Sequence, residues 1–186
     1  MKHYLKICSK ITLMHLIVQV FAVCLGPLVF MVVLGSSFGW KLMCTALSIA
    51  YVVTIYSEAY KIGQRDTKSY STHKPYAAKG LILPVLTLVI SSVLLILYHI
   101  CFLNTFASFD AQMWYNAIVK LLTYGWNFTF EGFRIASDGT IHPLYYVLVF
   151  GAPVVSCFLG YLLGMKHYEL GYQVFSRLVY KRKEKK

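Results

Sequence analysis

Apolar positions in this chain are gathered into four long runs, separated by polar segments of unequal character. The first runs from Ile11 to about Leu34 and is interrupted only by His15 and Gln19. The second runs from about Trp40 to Tyr60, the third from Gly80 to Leu103, and the fourth from Pro143 to Met165 with no charged residue inside. Each reaches the roughly 20 residues a helix needs to cross about 30 Å of hydrocarbon, and a helix satisfies its own backbone polar groups there. The pattern predicts an all-α, polytopic membrane helix bundle with four transmembrane helices, over about 11–34, 40–60, 80–103 and 143–165, as one membrane domain spanning 1–186. The segment 104–142 carries one further periodic stretch, Phe109 to Trp126. Trp114, Ala117, Ile118, Leu121 and Leu122 share a stripe at i, i+3/i+4 spacing, Gln112, Asn116 and Lys120 lie on another face, and Asp110 can cap the start. This predicts a short amphipathic helix lying on the membrane surface or covering the ends of the spans. Gly125, Gly132 and Asp138-Gly139 mark turns after it.

Composition sharpens the class. Of 186 residues, 58% are hydrophobic and 13% charged, against about 45–50% and about 25% in soluble domains. That excludes disorder and points away from a soluble enzyme. The net charge of +11 comes from 18 basic and 7 acidic residues, and its distribution matters more than its size. Fifteen of the basic residues fall before the first run, in the loop 61–79 or in the tail 166–186. Only Lys41, Lys120 and Arg134 fall on the other side. The positive-inside rule then predicts both termini in the cytoplasm of a multi-pass cell-membrane protein. Nucleic acid drops out as a partner, and anionic headgroups at the inner face take its place. The basic start and Cys24 after Phe21-Ala22-Val23 hint at a cleaved signal. Val23 is too large for that site and the run continues ten residues past Cys24, so the expectation is a retained span.

Candidate chemistry is sparse. Glu58 is the only carboxylate within a predicted span, and intramembrane ionisable groups are functional candidates by default. It sits three residues from Lys61, and an interfacial ion pair is the simpler expectation. His15, Gln19 and His99 are the other polar groups in the spans. The two histidines fall at opposite depths, so no shared metal is expected. The five cysteines show no C-x-x-C spacing and none lies in the long outer loop, which argues against both zinc and a disulfide framework. No catalytic, metal or cofactor site is assigned. Gly160-x-x-x-Gly164 is a small-residue stripe for close helix packing. Gly26-Pro27 and Gly151-Ala152-Pro153 should kink or locally unwind their spans, whereas Pro84 sits in the first turn of the third span, where it is tolerated. Asn127-Phe128-Thr129 matches a glycosylation sequon, meaningful only in a eukaryotic secretory pathway.

The inner loop reads Tyr60-Lys61-Ile62-Gly63-Gln64-Arg65-Asp66, followed by Lys79-Gly80-Leu81 and Pro84; the fourth span ends Gly160-Tyr161-Leu162-Leu163-Gly164, and the tail reaches Leu178-Val179-Tyr180-Lys181. This pattern resembles a group of small four-span integral membrane proteins of low-GC Gram-positive, clostridial-type bacteria. The resemblance covers about a third of the chain. It implies an intact four-span protein and brings no catalytic residues.

Three functional expectations follow. The first is a non-enzymatic packing, interaction or accessory subunit, contacting a second copy or a membrane partner through Gly160 and Gly164. Arg65, Asp66, Lys181, Arg182 and Lys183 would then meet anionic lipid or a partner. The second is a small oligomeric transporter or channel component using the Gly/Pro breaks. The third is a lipid-modifying enzyme using Glu58 near the inner headgroups.

Overall fold

The computed structural model describes residues 2–29, 37–68, 75–102, 109–134 and 141–166. Among these residues six α-helices form: α1 (Lys2–Val29), α2 (Ser37–Asp66), the single turn α3 (Lys79–Ile82), α4 (Val85–Phe102), α5 (Phe109–Trp126) and α6 (Pro143–Met165), with a 3₁₀ segment over Phe128–Phe133. No strand forms among the described residues, and the fold is an all-α bundle. Four helical stretches, Tyr4–Leu28, Phe38–Asp66, Lys79–His99 and Pro143–Met165, are long and apolar enough to cross a membrane. The outward surface agrees with that medium. Leu13, Leu16, Ile17, Phe21, Ile49, Val53, Val89, Val93, Ile96, Val147 and Val155 are all exposed, an apolar belt far beyond the patches a soluble monomer carries. This is a multi-pass membrane protein. Residues 30–34 of the first predicted span, and Lys181, Arg182 and Lys183, lie outside the described residues.

Both expected breaks stay helical. α1 runs through Gly26-Pro27 and α6 through Gly151-Ala152-Pro153 without unwinding. A proline removes one N–H, and in both helices the surrounding ladder continues. Pro84 does interrupt the third span, which is split into α3 and α4 at Leu83-Pro84. The i→i−4 pattern resumes on either side: Leu83 N–H donates to the Lys79 carbonyl at 3.2 Å and Leu88 N–H to the Pro84 carbonyl at 2.9 Å.

α2 and α6 form the closest pair in the bundle. A Cβ built on Gly160 would stand 2.5 Å from the Tyr56 carbonyl oxygen, and one on Gly164 would collide with the Tyr60 carbonyl. Gly63 faces Tyr161 in the same way from the α2 side. The small-residue stripe therefore packs inside the protomer, on α2, and leaves no glycine face at these positions for a second copy.

One end of the bundle is basic and tied by ion pairs. Glu58 on α2 meets Lys61 at 2.7 Å through Oε1. Lys10 on α1 stands 2.8 Å from its Oε2, an ion pair by distance although Oε2 receives no aligned hydrogen bond. Asp66, at the last turn of α2, is buried against Lys79, the first residue of α3 and itself 1% exposed. Tyr161 Oη donates to Asp66 Oδ2 at 3.1 Å, and the Lys79 ammonium lies over the rings of Tyr4 and Tyr161 at 5.8 and 5.9 Å. Asp66 therefore faces inward and forms no outward patch with Arg65, which stays exposed.

Candidate functional site

The segment after α4 holds the feature that sequence periodicity misplaces. α5 is a helix over the expected residues, but it lies along α4 and not across the bundle end. Val119 packs on Tyr98, Thr123 Oγ1 donates to the Leu94 carbonyl at 3.4 Å, and Trp126 Nε1 donates to Ser91 Oγ at 2.9 Å. The two helices are antiparallel, and α5 descends from the end opposite the basic one to the bundle middle. Its apolar stripe faces outward: Trp114, Ile118, Leu121 and Leu122 are exposed, Leu121 at 71%. In water this stripe would turn to a core; against hydrocarbon it is the face that can stay outside.

A chain that re-enters the bundle must hide its backbone polar groups within protein, and the polar residues of α1 and α2 accept them. His15 Nε2 lies 2.9 Å from the Trp126 carbonyl. A carbonyl only accepts, so Nε2 carries the proton and Nδ1 accepts from Tyr51 Oη at 3.0 Å. Gln19 grips Thr129 twice: Oε1 accepts from the Thr129 N–H and Nε2 donates to Thr129 Oγ1, both at 3.1 Å. Ser48 Oγ donates to the Thr129 carbonyl at 2.7 Å. Gly26 leaves room for the Phe128 ring, and Gly132 for Cys44. His15 and Gln19 are thus the receptor for the re-entrant turn. Their isolation in a hydrophobic run was legible; their partners in the turn, more than a hundred residues away, were not. Asn127 of the sequon is fully buried in this turn.

Past the turn the chain rises again. Arg134 Nε pairs with Glu131 Oε2 at 2.9 Å, its guanidinium carbon lies 5.7 Å from the Tyr98 ring centre, and the His142 N–H donates to the Arg134 carbonyl at 2.8 Å. His142 Nδ1 then caps α6 by accepting from Leu144 N–H. A cavity of about 410 Å³ opens here, lined by Tyr98 of α4, Ala117, Lys120, Leu121 and Tyr124 of α5, and Arg134. Behind Arg134, Glu131 is 7% exposed. The Tyr145 hydroxyl lies beside its carboxyl, yet Glu131 Oε1 and Tyr145 Oη form no well-aligned hydrogen bond. Sequence reasoning missed Glu131, Arg134, Tyr98 and Tyr145 as a group, although two charges three residues apart in a turn-rich segment were a usable signal. The remaining candidates stay apart from this site. Glu58 and Asp66 are at the basic end, and His99 bonds the Leu95 carbonyl and Tyr146 Oη. Among the described residues, no group of His, Cys, Asp and Glu is arranged to hold a metal ion, and Cys8, Cys24, Cys44 and Cys157 are free thiols.

Burial pushes the Glu131 carboxyl up to about 7, against the opposite pull of the Arg134 charge and the Tyr145 hydroxyl. The folded protein thus keeps a proton between about pH 4.5 and 7 that the unfolded chain has released, and stability falls as pH rises through that window. A displacement of this size corresponds to on the order of 3 kcal/mol. The melting temperature in detergent is expected to decline from pH 5 to pH 8, and Glu131→Gln to remove that part of the decline. Parallel declines in the two proteins would show that Glu131 is not its source.

Comparison of the chain with protein-family models, with curated proteins and with solved structures finds no match.

Proposed function

We propose that this multi-pass membrane protein is a non-enzymatic binding or transport component, with both termini in the cytoplasm, that captures a small ligand at the outer membrane face. One observation carries the reading: the re-entrant α5 and 3₁₀ segment holds Lys120 and Arg134 on the wall of one cavity while spending the polar groups of α1 and α2 on its own support. Ligand sites are concave, largely apolar and punctuated by a few placed polar groups, which describes this cavity. Irregular backbone at membrane depth is likewise the usual architecture of transporter sites. The charge excess supports the orientation, with the exposed Lys6, Lys10, Lys61, Arg65 and Lys68 at the basic end facing anionic headgroups. A purely packing role is less supported, since Gly160 and Gly164 are occupied within the chain. A lipid-active Glu58 is less supported too, because its carboxylate is shared by two lysines.

Two measurements test the reading. In intact cells, an impermeant maleimide should label Lys120→Cys, and should label Arg65→Cys only after permeabilisation; the reverse pattern overturns the orientation. Native mass spectrometry of protein held in native-membrane discs should show a bound low-mass ligand that is lost in Arg134→Gln. Ligand-free wild type under all conditions overturns capture.

A further inference from the structure

We propose that the cavity between α4 and α5 is a headgroup site for an anionic amphiphile drawn from the leaflet at that end, its acidic group held by Lys120 and Arg134 and its hydrocarbon lying along the outward face of α5. The inference rests on the capture reading and specifies its ligand.

The two cations come from different segments, one from α5 and one from the ascending chain after the 3₁₀ turn, and they meet on one wall. Arg134 is held in place: Glu131 takes its Nε, and the Tyr98 ring lies under the guanidinium. Lys120 is exposed, and a lysine on a membrane-facing helix carries its ammonium to headgroup level. The rest of the wall decides between a lipid and a soluble anion. Ala117 and Leu121 line the cavity and also belong to the exposed stripe of Trp114, Ile118 and Leu122. The cavity therefore continues sideways onto an apolar strip. A free phosphate or carboxylate has no hydrocarbon to place against such a strip, whereas the acyl chain of a lipid can lie along it without leaving the apolar layer, so that only the headgroup contacts have to supply the selectivity. Glu131 is the opposing charge. Arg134 faces it along with Tyr145 of α6, Cys44 of α2 and Tyr124 of α5, so Arg134 is the cation acting on it among the described residues, and a protonated Glu131 leaves that charge to the ligand. Behind Arg134, the buried Glu131 Oε1 and Tyr145 Oη lie beside each other without a well-aligned hydrogen bond and stay off the cavity wall.

The test uses the full chain in detergent, with native mass spectrometry reading occupancy. The ligands are dioleoyl phosphatidylglycerol, phosphatidylcholine with the same chains, glycerol 3-phosphate and inorganic phosphate. One phosphatidylglycerol is expected to bind about tenfold or more tightly than phosphatidylcholine. Lys120→Gln should weaken it about fivefold, the effect of one basic residue near a headgroup. Lys41→Gln, at the same end but off the cavity wall, should leave it unchanged. Binding should strengthen from pH 8 to pH 6, and Glu131→Gln should hold it near the pH 6 value. Equal affinity for both lipids, or an unaltered Lys120→Gln, overturns the proposal in favour of unspecific surrounding lipid. Displacement by millimolar glycerol 3-phosphate or phosphate overturns it in favour of a soluble anion and leaves the capture reading standing. Absence of any bound species overturns both.

Discussion

Asp66→Asn is expected to lower stability by about 3–5 kcal/mol, because it strands the Lys79 ammonium in a buried site. Lys79 is 1% exposed, and its surroundings are the rings of Tyr4 and Tyr161 together with the lost carboxylate. Lys79→Met should cost a similar amount from the other side, leaving Asp66, among the described residues, with the Tyr161 hydroxyl. The double variant Asp66→Asn with Lys79→Met should recover much of the loss, since an ion pair replaced as a unit by groups of similar volume is often close to neutral. Thermal denaturation in one detergent gives all three values and their coupling. Single variants within about 0.5 kcal/mol of wild type would mean that the pair is solvated in the membrane and does not hold the basic end together. The consequence is architectural: this pair joins the end of α2 to the start of α3 and, through Tyr161, to α6, while Cys8 Sγ of α1 reaches the Ile82 carbonyl at 3.3 Å.

Gly160→Ala and Gly164→Ala are expected to destabilise by about 1–3 kcal/mol each, and the leucine variants by more, because even one methyl group meets the α2 backbone. The obstacle is a carbonyl and not the end of a flexible side chain, so the helices must separate. Once one substitution has separated them, the second meets less resistance, and the double alanine variant should cost less than the sum. Gly125 of α5 is the internal control. Nothing lies within 4 Å of a Cβ built there, and Gly125→Ala should be neutral or gain up to about 1 kcal/mol from helix propensity. Melting temperatures of the four proteins decide the matter. If Gly164→Ala behaves like Gly125→Ala, the close approach of α2 and α6 is not maintained. A loss of oligomer with the monomer unaffected would instead return the stripe to an intermolecular role.

Both predictions concern residues on which the resemblance rests. Gly63, Asp66, Lys79, Gly80, Gly160, Tyr161 and Gly164 are far apart in the chain, yet they meet in one knot at the basic end. The short motifs were visible as spacings. That Asp66 would pair with Lys79 and not with a headgroup was not visible, since the loop between them can close in many ways and an aspartate next to Arg65 looks equally suited to the surface. Glu58 shows the contrast. Its partner Lys61 lies three residues on along the same helix, and local geometry was enough to propose the pair; Lys10, from another helix, was not.

The sequence by itself determined the number of apolar helices long enough to span, the helix over 109–126, and the side of the membrane expected to hold the basic residues. Length, period and charge count are local properties, and each is imposed by the bilayer on a segment without reference to its neighbours. Tertiary structure alone decided where α5 lies and which way it faces, because an apolar stripe reads the same whether it is turned to a protein core or to lipid. It also decided what His15, Gln19 and Ser48 are for. A polar group in hydrocarbon must find a partner, but its own sequence does not say which. Here the partners are the backbone and the threonine of a turn that arrives about 80 to 110 residues later, and the cavity beside Arg134 exists because that turn is held there.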